Sequence, residues 1–220
     1  MGLPTRDALR ATTPPTYRWT RHVALIVAFA AAGLAVCLYA LGGLGGADTL
    51  VIGVAFLLTN LGEYVAHRWP LHRPMFPRAV YERHVREHHA FFTYDRMAVD
   101  AWPEIRWVLF PPWALPLLVA TVVPLALLVG AVAGTRAAWL FVLVAIAYYA
   151  LYEVLHALAH LPDDAPLARV GAVRALTHHH RVHHDPALMR SWNFNFAIPL
   201  FDVLLHTRYA GVPPEADRVR

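Results

Sequence analysis

The chain has 220 residues, of which 58% are hydrophobic and only 15% charged, with a formal net charge of +4. A soluble globular domain carries about 25% charged residues. The composition therefore excludes an ordinary soluble enzyme and points to a chain that lives in a bilayer.

In chain order, residues 1–16 contain Pro4, Pro14 and Pro15 and are expected to be a loosely ordered tail within an N-terminal segment 1–21. A helical crossing of the hydrocarbon core takes about 20 apolar residues. Four segments meet that need: 22–44, 48–66, 107–133 and 137–159. The first is longer than the roughly 7–15 residues of a signal-peptide core, so it is read as a retained span. The third is interrupted by Pro111, Pro112, Pro116 and Pro124; residues 106–116 read as a surface or re-entrant piece, with 117–133 completing the crossing. Residues 210–220 read as a second tail, leaving one membrane domain over 22–209.

All 19 basic residues are arginine. Four precede the first span, seven lie from Arg68 to Arg106 and seven from Arg169 to Arg220, while the opposite side holds Arg136 alone. The positive-inside rule then places both termini and the 67–106 loop in the cytoplasm; the expected location is a bacterial inner membrane. The basic charge is topological, and no nucleic acid is expected as a partner. The one cysteine, Cys37, lies in the first span and excludes both an intramolecular disulfide and a thiolate metal site.

Ten of the 14 histidines fall in four tight clusters, each beside or just after an apolar segment. They are H-R-W-P-L-H (His67, His72), H-V-R-E-H-H (His84, His88, His89), H-A-L-A-H (His156, His160) and H-R-V-H-H (His180, His183, His184). Imidazole is the commonest protein ligand of transition metals, and ten imidazoles are too many for one ion. Residues three or four apart share a helix face, which groups His156 with His160, His84 with His88, and His180 with His183 and His184. His67 and His72 are five apart and enclose Pro70, so the second span is expected to end near His67, with His72 reached across a turn. Neighbours such as His88 and His89 project about 100° apart on a helix, which suits one metal each. The expectation is an all-α membrane protein of about four spans, whose cytoplasmic-side helical cap holds a two-metal, all-histidine site.

Glu63 and Glu153 lie one turn before His67 and His156. Each is expected to orient a ligand imidazole by accepting its other N–H, and helix-to-helix bonding with nearby tyrosines is an equal alternative. His179, Asn193 and Asn195 are further candidates for supporting the ligands. H-E-x-x-H and phosphate-binding glycine motifs are absent, which disfavours a zincin protease or a nucleotide enzyme. A non-enzymatic protein that binds or transports zinc or iron is the competing class. Transport asks for polar ligands at mid-bilayer depth, where this chain is apolar.

With these motifs in hand, residues of about 60–209 resemble the fatty acid hydroxylase / sterol desaturase superfamily of membrane di-iron oxygenases. The four histidine clusters match its four boxes. R-W-V-L-F-P-P (106–112) is similar to a segment after the second box of fatty acid 2-hydroxylases, and N-F-A-I-P-L-F-D-V-L-L-H-T (195–207) to the closing motif. The second box has H-x3-H-H where H-x2-H-H is commoner, His206 stands where glycine is usual, and Phe201 replaces a tryptophan. The resemblance implies two iron ions on the ten histidines, dioxygen as co-substrate, and removal of hydrogen from a lipid C–H bond, with no catalytic residues beyond the ligands. Hydroxylation of an acyl chain is the leading expectation; desaturation, or oxygenation of a sterol or carotenoid, is the alternative on the same scaffold. Purified protein can carry zinc in place of iron. No H-P-G-G motif occurs, which implies a separate electron donor of cytochrome b5 or ferredoxin type. Aromatic residues near the clusters (Trp69, Phe91, Phe92, Trp102, Trp192, Phe194 and Phe196) are candidates for lining the headgroup end, with an interfacial belt the alternative.

Overall fold

The structure is a computed structural model that describes residues 3–209 and 211. Most of the tail expected at 210–220 lies outside the described residues. Among those described, the secondary structure is helical, with no strand and one isolated backbone bridge between Thr93 and Arg96.

The expected loose N-terminal tail is corrected: residues Arg6–Ala11 form helix α1. Thr5 caps it by accepting the Ala8 N–H at 3.2 Å, and Asp7 sits in the first turn, where an acid favours the helix dipole. The first span is α2 (Trp19–Leu41) and the second begins with α3 (Thr49–Ala66). Short helices α4 (Arg78–Tyr81), α5 (His89–Phe91) and α6 (Ile105–Val108) follow. The remaining spans are α7 (Ala114–Ala133) and α8 (Thr135–Ala159), followed by α9 (Gly171–His183) and α10 (Leu200–Leu204).

Four helices are therefore long and apolar enough to cross a membrane. The third starts later than the apolar run suggests. Pro111 and Pro112 lack the N–H that a helix needs, so the chain breaks after Val108 and resumes at Ala114. Pro124 is carried inside α7. Only 6% of the apolar window of α7 is buried within the protein, the exposure that suits a helix surrounded by lipid and not one packed in a protein core.

The chain divides into two compact units. One comprises 20–59 and 110–153, the membrane portion. Its core joins Ala55, Ala126 and Phe141, with valines of α7 and α8 packed around them. A Cβ added at Gly33 would stand 2.7 Å from Ile146, so α2 and α8 approach closely there, as small residues allow in membranes. Arg136 pairs with buried Asp48 at 2.7 Å and donates to the Leu41 and Gly43 carbonyls. His22 and Glu153 hold the backbone of Phe110: the His22 ring is 2.8 Å from its carbonyl, and Glu153 accepts its N–H at 3.3 Å.

The other unit gathers 1–19, 60–109 and 154–220 and carries all ten clustered histidines. The division falls within α3 and α8, so each gives its last turns to this second unit. α1 is part of it. Arg6 is buried, donates to Glu104 at 2.6 Å and to the Ala98 carbonyl at 2.8 Å, and lies over the Phe91 ring at 4.5 Å.

Candidate metal centre

The ligand-type side chains come from four places. The second span does not end at His67. It widens into a π-helical turn over His67–Leu71, and His72 caps it. The i→i+5 bonding of a π-turn brings a residue five positions on back to the same face. His67 and His72 thus point together from one continuous span, which corrects the expected helix end and turn between them. The same device recurs at Glu82–His88, another π-helical stretch. There His84 and His89, also five apart, share a face, and the extra residue of H-x3-H-H is absorbed by the wider turn. His156 lies in the last turn of α8 and His160 just beyond it; His180 and His183 end α9, and His184 caps it.

All ten rings are buried. Nine of them form two groups whose ligand-type atoms lie within 4.8 Å of one another: His67, His72, His84, His89 and His183, and then His88, His156, His160 and His180. Adjacent His88 and His89 fall in different groups. His184 adjoins both: its Nε2 is 3.1 Å from that of His180, and its ring stacks on His89 at 4.1 Å between centroids. Within the first group, Nε2 atoms approach at 3.0 Å (His67 to His84), 2.9 Å (His72 to His183) and 3.1 Å (His89 to His84). In the second, His156 is 3.3 Å from His88 and 3.1 Å from His180, and His180 is 3.1 Å from His160.

The other ring nitrogen explains why these atoms converge. Nδ1 of His67 faces the Phe194 carbonyl at 2.5 Å, and that of His183 the Trp192 carbonyl at 2.9 Å. His88 meets Trp107 at 2.8 Å, His160 meets Met97 at 2.6 Å, and His184 meets Phe92 at 2.6 Å. A carbonyl only accepts, so each of these five rings carries its proton on Nδ1 and turns the Nε2 lone pair inward. Burial holds His72, His84, His88, His89, His180, His183 and His184 well below the ordinary histidine pKa, and neighbouring rings push the same way. Burial brings His160 down to about 3, against its hydrogen bond to Met97. The result is a dry cluster of neutral nitrogen donors, the state in which imidazole binds a metal.

Glu63 and Glu153 both accept backbone N–H groups. Glu63 accepts the Phe196 N–H at 2.7 Å, the Ala197 N–H at 3.1 Å and the Asn195 amide at 3.1 Å; the Phe194 carbonyl takes the role expected of it at His67. Glu153 receives the Phe110 N–H. The physical reason is desolvation: a neutral carbonyl costs less to bury beside an imidazole than a carboxylate does. His179 is not drawn into either group and instead meets the Asn195 carbonyl at 3.1 Å. Asn193, at φ +58°, donates to the His179 carbonyl at 3.1 Å and accepts the Tyr209 N–H at 2.7 Å. Asn195 donates to the Asn60 carbonyl at 2.8 Å. These amides hold the segment whose alternate carbonyls, Trp192 and Phe194, orient His183 and His67.

Residues that sequence reasoning missed do similar work. Asp202 is fully buried and accepts the Phe194 N–H at 3.0 Å, the Asn195 N–H at 2.7 Å and the Thr207 hydroxyl at 2.7 Å. Burial raises its pKa against those bonds. Arg83 donates to the carbonyls of Arg106 and Leu109, bracketing the Trp107 carbonyl that holds His88. Asp202 lies in the closing motif, which was the available signal; Arg83 had none.

Of the aromatic candidates, Phe92, Phe194 and Phe196 are buried against the imidazoles, with Phe92 4.2 Å from His160 and Phe196 4.5 Å from His180 between centroids. Phe91 stacks on Trp107, Trp69 packs on Tyr64, and Trp192 packs on Tyr209. Trp102 is exposed and stacks on Trp19. His206, at φ +54°, explains why glycine is usual there, since glycine adopts that conformation without cost.

No curated protein and no solved structure matches the chain. The sequence model for fatty acid hydroxylase matches residues 52–207, a range that contains every histidine of the two groups and the segments that orient them. The chain belongs to the fatty acid hydroxylase family.

Proposed function

We propose that the ten clustered histidines hold two iron ions and that the chain is a membrane-bound, dioxygen-dependent oxidoreductase that hydroxylates a lipid C–H bond, with a fatty acyl chain as substrate. The observation that carries this reading is the two groups of converging Nε2 atoms. Metal–imidazole bonds of about 2.1 Å put neighbouring ligand nitrogens about 3.0 Å apart at a right angle and about 3.4 Å apart at the tetrahedral angle. The contacts run from 2.9 to 3.3 Å, within 0.1 Å of that interval. Where two rings both turn a lone pair inward at that spacing they repel, and a cation between them removes that repulsion. The donor set, all neutral nitrogen and no thiolate, suits iron. Family membership supplies the reaction class.

When bound, iron would supply the activation of dioxygen. The chain's own residues do the rest. His67, His72, His84, His89 and His183 form one ligand set; His88, His156, His160 and His180 form the other, with His184 at their junction. Backbone carbonyls fix five of these rings in the binding tautomer. Phe92, Phe194 and Phe196 pack on the rings and exclude water, which protects a strong oxidant from side reactions. Electrons come from a separate donor of cytochrome b5 or ferredoxin type. The arginine distribution supports a cytoplasmic cap, and the exception, Arg136, has its charge balanced by Asp48.

The test is lipid mass spectrometry of a host expressing the chain, compared with one expressing His183→Ala. A lipid that gains one oxygen atom only with the intact chain supports the proposal and identifies the substrate. A lipid that loses two hydrogens moves the reading to desaturation. No change, in cells supplied with iron and a competent reductase, would contradict an oxygenase.

A further inference from the structure

Residues 72–78 read H-R-P-M-F-P-R. The segment leaves the second span, which runs to Leu71, and starts at His72 of the first histidine group. Four residues later the Phe76 side chain is 96% exposed, and Met75 beside it is 48% exposed. Neither belongs to a span, so lipid around the helices does not account for them. The flanks are distinctive. Pro74 and Pro77 have no backbone N–H, and the Met75 N–H is bonded to the Arg73 carbonyl at 2.7 Å. The tip therefore carries few unpaired donors, the property that lets a loop leave water. Arg73 and Arg78 stand exposed on either side; Arg78 also meets Glu82 at 3.0 Å. Apolar side chains bracketed by arginines match a bilayer boundary, where acyl chains lie beneath anionic headgroups.

We propose that the Met75–Phe76 tip inserts into the headgroup–acyl boundary of the bilayer that the spans cross, with Arg73 and Arg78 on anionic lipid headgroups. Continuity with the span favours this occupant: the tip follows the last residue of a membrane helix within five positions. Insertion would fix the depth of the loop that carries His72. The inference does not depend on which metal or reaction the histidines support.

Phe76→Cys and Met75→Cys, each in the full-length chain, carry a nitroxide spin label. Cys37 is 1% exposed and stays unlabelled. The protein is placed in nanodiscs with and without phosphatidylglycerol, and label collisions with oxygen and with a water-soluble nickel complex are compared. Asp164→Cys, in an exposed acidic turn, is the aqueous reference. The proposal predicts that oxygen reaches the tip labels more readily than the nickel complex, the reverse of the reference. It also predicts that nickel access rises without anionic lipid, and that Arg73→Gln with Arg78→Gln abolishes this lipid dependence. Tip labels as open to nickel as the reference would overturn insertion. Spin–spin broadening between labels would overturn it in favour of a second copy covering the tip. Indifference to lipid charge would overturn the arginine assignment.

Discussion

Eight of the ten clustered histidines lie outside the spans, and burial holds each of them below the ordinary pKa of 6.5. Such rings are neutral in the folded cap and take up a proton when it opens. The open form thus binds more protons, and stability rises with pH between the folded values and 6.5. The contribution is complete above about pH 7.5 and is lost as pH falls through 6.5 towards the folded values. Between about pH 7.5 and 5.5, a ring kept neutral by the fold costs on the order of 1 kcal/mol. Several rings opposed in this way draw on the ~5–15 kcal/mol net stability of a whole domain. Chelator-treated protein should therefore open its histidine cap between about pH 6.5 and 5. Hydrogen–deuterium exchange over 82–92 and 176–184, corrected for the intrinsic rate at each pH, reads the opening, with the spans as internal reference. Bound metal should move the transition to lower pH, because it competes with protons for the same nitrogens. Full protection at pH 5 in metal-free protein would refute the claim that these rings pack as a dry, neutral cluster.

Other perturbations have defined outcomes. His206→Gly removes a left-handed non-glycine residue and should stabilise the protein by about 1 kcal/mol, read as a higher thermal midpoint in detergent; a lower midpoint would contradict the backbone assignment. Asp202→Ala strands two buried backbone N–H groups and should cost about 2–6 kcal/mol while loosening metal retention. Wild-type stability and metal content in that variant would remove Asp202 from the account. Arg6→Ala breaks a buried ion pair that Arg10 can partly replace, so a loss of about 2 kcal/mol is expected, with faster amide exchange at 97–99. Unchanged exchange there would show that α1 does not support the loop holding His160.

Much of this architecture is legible in the sequence because it rests on side-chain type. Apolar runs give the four spans, and histidine spacing gives the clusters. Backbone effects are harder to read. A π-turn differs from an α-turn by one hydrogen-bond register, and no residue type marks it; five-residue spacing across Pro70 therefore reads as a helix end and a turn, although the structure carries it on one face. The carbonyls of Phe92, Met97, Trp107, Trp192 and Phe194 are equally silent, since every residue has one. Side-chain reasoning looked to Glu63 and Glu153 to orient imidazoles, while the fold uses Glu63 and Asp202 to pin backbone N–H groups. The helix at Arg6–Ala11 was readable from Thr5 and Asp7 but was masked by the prolines around it.

The measurement closest to the central claim is the metal content of protein purified from iron-supplied cells, determined by mass spectrometry of the metals and by Mössbauer spectroscopy. The account predicts two irons per chain, one lost in His160→Ala and the other in His67→Ala, with the spans still inserted. A single tightly held ion, or an unchanged pair in either variant, would contradict a centre built from two histidine groups.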